Sequence, residues 1–431
     1  MSEPRGYVDL LRENRAFRLL WLGQVVSQLG DWFNTIAVYT LVLELTGSGR
    51  AVGLVLVARF LPSVVCGPLA GVVADRFSRR RVMIVSDVLR AVVVLGFLFV
   101  RRPEHVWLVY ALTVLQLAAS TFFEPAKSAS IPSLVAPRDL LAANAISSVT
   151  WSAMLTLGAA AGGLVTGWLG VRAAFVIDSL TFIGSALLVA AVRFPARAAR
   201  QKIKLTLSRA LGVADTLEGL RYVSRRPRVL ALLLVKPAWG LGGGVLALLA
   251  VFGEKIFPLG GKAATGIGFL YAVRGIGTAA GPIATRRFAG ETRMQMQRAI
   301  GISFLFGGLF YAAFGLSSNL ATAAAMLFIA HMGGSILWLN ATVLLQASVE
   351  DDFRGRVFAA EMTLLTLTLA LSNYATGELL DRFNYSPRAV TVGIGILFML
   401  PGLVWFATRR WWDREDKRPF DDRPRTTDDE S

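Results

Sequence analysis

The stretch Gly71-Val72-Val73-Ala74-Asp75-Arg76-Phe77-Ser78-Arg79-Arg80-Arg81 packs one acidic and four basic side chains into a short connection between two apolar runs, near 52–74 and 82–100. Each run matches the roughly 20 apolar residues needed to cross the hydrocarbon core of a bilayer. Charge inside that core costs at least about 2.5 kcal/mol per residue on insertion scales. The charged stretch therefore reads as a loop at a membrane surface, with a span on either side.

Outward from this loop the pattern repeats along the whole chain. Apolar runs between charged or turn-rich stretches predict twelve spans near 17–43, 52–74, 82–100, 106–130, 141–169, 171–192, 229–252, 263–285, 298–316, 320–348, 357–380 and 388–408. The turn Ser317-Ser318-Asn319 divides a run that is otherwise long enough for two spans. Composition agrees: 54% of the 431 residues are hydrophobic and 17% charged, against about 25% charged in a soluble domain. The single cysteine, Cys66, lies in an apolar run, so neither an intramolecular disulfide nor a cysteine metal cluster can form. No cofactor is expected. Residues 1–18 are polar and lack the apolar core of a cleaved signal, so the first span is expected to be retained.

The basic residues are unevenly placed. With both termini on the cytoplasmic side, 32 of the 45 Lys and Arg fall in inner connections, 8 in outer loops and 5 within spans. This is the positive-inside pattern of a multi-pass protein of a bacterial inner membrane. It accounts for the net charge of +16 without nucleic acid. The expected organisation is a cytoplasmic N-terminus (1–16), a six-helix half (17–192), a cytoplasmic amphipathic linker (193–228), a second six-helix half (229–408) and a partly disordered cytoplasmic tail (409–431). In the linker, Leu205, Leu207, Leu211, Leu217 and Leu220 alternate with basic residues, which suggests a segment lying on the inner leaflet. A weak internal repeat supports the halves: Arg59 precedes Gly67-Pro68-Leu69-Ala70, and Arg274 precedes Gly281-Pro282-Ile283-Ala284. Two such repeats would place a binding site between them near the midplane.

The loop at 71–81 resembles the signature loop of the major facilitator superfamily, differing at Ser78, where the family usually has Gly. A narrower resemblance, to the branch containing macrolide-efflux proteins and the enterobactin exporter, rests on Leu20-Trp21-Leu22-Gly23-Gln24 through Ser27-Gln28-Leu29-Gly30-Asp31-Trp32, on Ser86-Asp87-Val88-Leu89-Arg90-Ala91 and on Phe122-Phe123-Glu124-Pro125-Ala126-Lys127. Gly158-Ala159-Ala160-Ala161-Gly162-Gly163 resembles an antiporter motif with its proline replaced by Ala159. These resemblances imply an all-α integral membrane protein, twelve transmembrane helices in two six-helix halves of the major facilitator fold. They also imply a monomer that exports amphipathic small molecules such as drugs or siderophore-like compounds in exchange for protons. The resemblance further implies that Asp75 sits at the N-terminus of the eleventh helix, near Val357–Glu361, and that the loop's basic residues complete a gate network.

Charges inside the spans point to mechanism, because each must face a cavity or a partner. Gln28, Asp31 and Asn34 share one face of the first span and read as a cavity-lining polar face or, alternatively, a buried structural cluster. Arg59 and Arg274 are candidate partners for Asp31 or for an anionic substrate. The cytoplasmic gate and signature loop would comprise Gly71, Asp75, Arg76, Arg79, Arg80, Asp87, Arg90, Glu124 and Glu361. Asp178 lies nearer the outside, Lys236 can snorkel to the inner surface, and His331 reads as a packed polar residue. Asn340 and Glu378 are further candidates for the pathway.

No Ser-His-Asp set, histidine metal pair or nucleotide loop appears among the spans, so transport is favoured over catalysis. Lysophospholipid flipping and ion-coupled solute uptake remain alternatives to export. The topology is testable by cysteine accessibility on a Cys66→Ala background. Cysteines at positions 79 and 200 should stay unlabelled from outside intact cells, and labelling at 200 would overturn the orientation.

Overall fold

A computed structural model describes residues 6–194, 213–285 and 292–412, with the side chains of residues 64, 68, 71, 75, 141, 213–216, 351–352 and 409–412 outside that description. Twelve long helices cross in alternating directions. They are α1 (Arg15–Thr46), α2 (Gly49–Arg76), α3 (Arg79–Gly96), α4 (Val106–Leu134), α5 (Pro137–Leu169) and α6 (Val171–Ala191), followed by α7 (Pro227–Ile256), α8 (Ala263–Ala284), α9 (Arg293–Leu316), α10 (Leu320–Ser348), α11 (Asp351–Asp381) and α12 (Pro387–Trp412). Among the described residues, eleven segments are long and apolar enough to span a membrane. The exception, α1, has the length at 32 residues but is diluted by Gln24, Ser27, Gln28, Asp31 and Asn34, the residues around which the site is built.

Turn chemistry sets the helix ends. Gly47 closes α1 in the left-handed region at φ 60°, where glycine carries no Cβ penalty. The hydroxyls of Ser48 and Ser78 accept hydrogen bonds from Ala51 N and Arg81 N and so cap α2 and α3. Ser78 has φ −62°, a conformation open to any residue, so the chain makes this turn without the family's usual glycine. Its neighbours fasten the loop to its own half: Arg79 donates to the carbonyl of Ala129 on α4, and Arg80 to that of Ala190 on α6.

The two halves meet along α5 against α8 and α2 against α11. A Cβ at Gly163 of α5 would lie 2.8 Å from the Cα of Gly268 on α8. Only glycine permits that approach, the small-residue packing that replaces hydrophobic driving force in lipid. In α5 the stretch Met154–Gly158 widens into a π-turn just before Ala159, which stands where the resembled motif has proline. In α7 the glycine run Leu241–Gly244 tightens into a 3₁₀ turn. Ser372 of α11 secures that break by donating to Leu241 O at 2.6 Å and accepting from Gly244 N at 2.9 Å. The described part of the linker, Val213–Ser224, is a helix that packs on the start of α11 through the stacked rings of Tyr222 and Phe353, 4.4 Å apart.

Within the second half, Lys236 of α7 does not snorkel to a surface. Its Nζ lies 2.8 Å from Glu361 Oε2 on α11, both side chains fully buried, and the ammonium faces the rings of Trp338 and Phe358 at 4.8 and 5.4 Å. Glu361 is thus engaged inside its own half. Removing one member leaves a buried charge unpaired, so Glu361→Leu or Lys236→Met alone should destabilise by about 3–5 kcal/mol, whereas the double variant should recover most of the loss. Thermal unfolding of the four proteins in detergent checks this, and additive losses would show that the pair is not coupled.

Candidate functional site

Helical spacing puts Gln24, Gln28 and Asp31 on one stripe of α1. Asp31, at one end of that stripe, faces Arg90 of α3. Arg90 is the centre. Its side chain is 2% exposed, its guanidinium is ion-paired with Asp87, and a second nitrogen lies 3.5 Å from Asp31 Oδ2. The same guanidinium lies over Phe182 of α6 at 4.2 Å and Phe123 of α4 at 5.1 Å, a cation–π enclosure. Ser185 donates to Asp87 Oδ2 at 2.7 Å. Four helices therefore converge on one cation.

The carboxylates around Arg90 are unequal. Asp87 is fully buried and doubly bonded, whereas the Asp31 side chain is 35% exposed and held only by the longer contact. Asp178 is buried beside Thr181, with the Asn34 side chain of α1 close by. Below Asp31 on the same stripe, Gln24 and Gln28 line a cavity of 470 Å³ together with Glu124, Lys127, Asn144 and Trp151. Glu124 is 56% exposed there and paired to Lys127 at 2.7 Å.

Several sequence expectations change. The partner of Asp31 is Arg90 of its own half, not Arg59 or Arg274, which make no ion pair within 4.0 Å among the described residues. Asp87 and Arg90 belong to this node rather than to the signature loop, because about two and three helical turns from Arg79 and the packing of α6 carry them away from the surface. Asp178 joins the same neighbourhood instead of standing alone toward the outside. Glu361 is taken up by Lys236, and Glu124 looks into the cavity. Gly71 and the Asp75 side chain lie outside the described residues, and Arg76 is exposed. Arg274 lies 5.9 Å from the ring of Tyr271, which meets Trp32 and Tyr39 of α1 at 6.0 and 5.8 Å, so an aromatic group bridges the halves. His331 lies against Tyr311 Oη at 3.4 Å and Leu327 O at 3.2 Å, as a packed core residue does.

A second polar cluster joins the halves at the end remote from both termini, and the sequence reading missed it. Asp381, the last residue of α11, accepts from the backbone N–H groups of Gly49 and Arg50 at 3.2 and 2.9 Å and from the Ser48 hydroxyl. A carboxylate thus sits on the positive end of α2. Beside it Arg50 pairs with Glu378 at 2.8 Å, and Lys255 donates to Gly47 O at 2.6 Å. Glu378 is therefore a contact between halves. The signal available was Asp381 followed by Arg382 at the end of a span opposite Ser48, but nothing in sequence brings positions 333 residues apart together.

The sequence profile of the Major Facilitator Superfamily matches residues 20–371. The MFS-type transporter YfiS of Bacillus subtilis is 28% identical over 417 residues, 92% of this chain and 93% of that protein. Macrolide efflux protein A of Streptococcus pyogenes is 24% identical over 396 residues, 90% of this chain and 93% of that protein. Among solved structures, the nucleoside transporter NupG superposes with a TM-score of 0.73 at 14% identity, covering 92% of this chain and 98% of that one. A bacterial homologue of the lysosomal transporter Spinster, inward-facing and unoccupied, gives 0.72 at 17% identity, covering 95% and 99%. With the family profile spanning most of its length and the twelve-helix fold shared with solved transporters, this chain belongs to the major facilitator superfamily of membrane transporters.

Proposed function

We propose that the protein is a secondary active exporter of amphipathic small molecules, with both termini cytoplasmic, driven by proton antiport through alternating access. One observation carries the reading: Asp31 is a carboxylate 35% exposed, one helical turn from Gln28 of the cavity wall, and loosely held by a cation whose charge is already balanced by Asp87. A proton arriving at Asp31 leaves the Arg90–Asp87 pair neutral and intact. Substrate and proton then compete through one site, as antiport requires. The similarity to macrolide efflux protein A supports efflux and an amphipathic substrate class. The polar, Trp-containing cavity fits molecules with polar groups and an apolar body.

In this reading the Asp381 cluster is the outer latch. Asp381→Asn should remove a charge–dipole attraction of about 0.3–1 kcal/mol and raise the outward-open population about two- to fivefold. Spin-label distances between loop 47–48 and loop 382–386 report it, and an unchanged distribution would mean that the latch does not hold this end shut.

The central test is Asp31→Asn in proteoliposomes with and without an imposed pH gradient. The amide preserves shape and leaves the Arg90–Asp87 pair in place. Gradient-driven export of a macrolide or cationic dye should fall by about tenfold or more, within the range of one coupling free energy, while downhill exchange persists. A variant still accelerated by the gradient to the wild-type extent removes Asp31 as the coupling residue. Loss of downhill exchange as well would assign it to substrate binding or folding.

A further inference from the structure

The linker helix Val213–Ser224 and the start of α7 form a corner at the end of the bundle that carries the termini. A cleft of 470 Å³ there is lined by Glu218, Arg221, Tyr222, Arg225, Arg226, Phe353 and Arg356. The acids are already engaged. Glu218 pairs with Arg356 at 3.2 Å, and Glu350 pairs with Arg226 at 2.9 Å, whose guanidinium also stacks on Tyr222 at 3.8 Å. Arg221 and Arg225 are exposed and have no acidic partner within 4.0 Å among the described residues. Arg221 stands in the last turn of the helix and Arg225 just past its end, and both line the cleft.

The cleft adjoins an apolar groove of 620 Å³ between α7, α9 and α12. Ser224 and Pro227 of the groove flank Arg225 and Arg226 of the cleft, and Leu230, Leu234, Leu397, Leu400 and Val404 form its walls. From Pro227 to Leu241 the groove follows α7 for fourteen residues, about 21 Å at the rise of a helix. It therefore reaches through about one leaflet, whose hydrocarbon is about 15 Å deep. Unpaired guanidiniums at headgroup level above an apolar slot of leaflet depth have one complementary occupant.

We propose that this corner binds an anionic phospholipid, with its phosphate between Arg221 and Arg225 and one acyl chain along the α7–α12 groove. Bound there, the lipid ties the linker helix to α7, and through Tyr222 and Phe353 to the start of α11, the helix whose other end carries the Asp381 contact. The site lies outside the transport pathway, and its test is independent of any substrate.

The test is native mass spectrometry of the full chain released from bilayers of equal phosphatidylglycerol and phosphatidylcholine. At about 1 kcal/mol per basic side chain at a membrane surface, two guanidiniums should give about a thirtyfold preference for phosphatidylglycerol. Arg221→Gln/Arg225→Gln should abolish the preference, and Arg221→Lys/Arg225→Lys should keep most of it. Ala231→Trp, which fills the groove, should reduce retention of phosphatidylglycerol. Equal retention of both lipids by the wild type, a preference that survives the double Gln change, or retention unaffected by Ala231→Trp would each overturn the site as drawn. So would its complete displacement by inorganic phosphate at the lipid's concentration, which would make this a soluble-anion site.

Discussion

The first half of the molecule is organised around the guanidinium of Arg90. A cation with 2% exposure, placed mid-span, is tolerable only because everything around it is arranged for it: Asp87 on its own helix, Asp31 from α1, and the faces of Phe123 and Phe182 from α4 and α6. In water such a cluster would be dispensable. In hydrocarbon the alternative to each contact is an unsatisfied charge, so α1, α3, α4 and α6 are held in a fixed relation. More negative charge converges on Arg90 than one cation balances, and one of the carboxylates, Asp31, is partly exposed.

Contact between the halves obeys a different constraint. Along α5 and α8 the backbones touch at Gly163 and Gly268, and at the end remote from the termini Asp381 rests on the first turn of α2. Neither contact involves interlocked large side chains. Glycine faces can separate without repacking a core, and a carboxylate at a helix end exchanges readily for water. Beside the aromatic contacts of Tyr271 with Trp32 and Tyr39, the interface thus includes parts that can part, whereas each half also holds buried ion pairs that cannot part cheaply. That division suits a transporter whose halves rock as rigid bodies around a central site.

Much of this was legible in the sequence for physical reasons. The bilayer imposes length and apolarity on each span, so runs of hydrophobic residues mark the helices directly, and the charged stretch at 71–81 could only be a surface loop. Even the weakness of α1 as an apolar run was informative, because the residues that dilute it, Gln28, Asp31 and Asn34, are those that face the node and the cavity. What could not be read was pairing. Asp31 meets Arg90 across two helices, and Lys236 meets Glu361 across 125 positions. Helical periodicity reports which face a residue occupies but says nothing of which helix that face meets. Arg59 and Arg274 stand in obvious symmetry in the sequence, yet the packing of α6 against both α1 and α3 brings a different cation closer to Asp31.

The two halves also use buried charge in opposite ways, despite their common architecture. In the second half Lys236 and Glu361 form a one-to-one pair walled by Trp338 and Phe358, with both side chains sealed from the cavity. In the first half Asp31 remains 35% exposed at the edge of its cluster. A sealed neutral pair has no charge state that the aqueous phase can change on the timescale of a transport cycle. A partly exposed carboxylate does, and any change there alters the electrostatics felt by Arg90 and hence by all four helices it joins. Two scaffolds of the same six-helix plan thus differ in how their buried charge is exposed: of these two clusters, one keeps a partly accessible carboxylate, and the other is closed on itself.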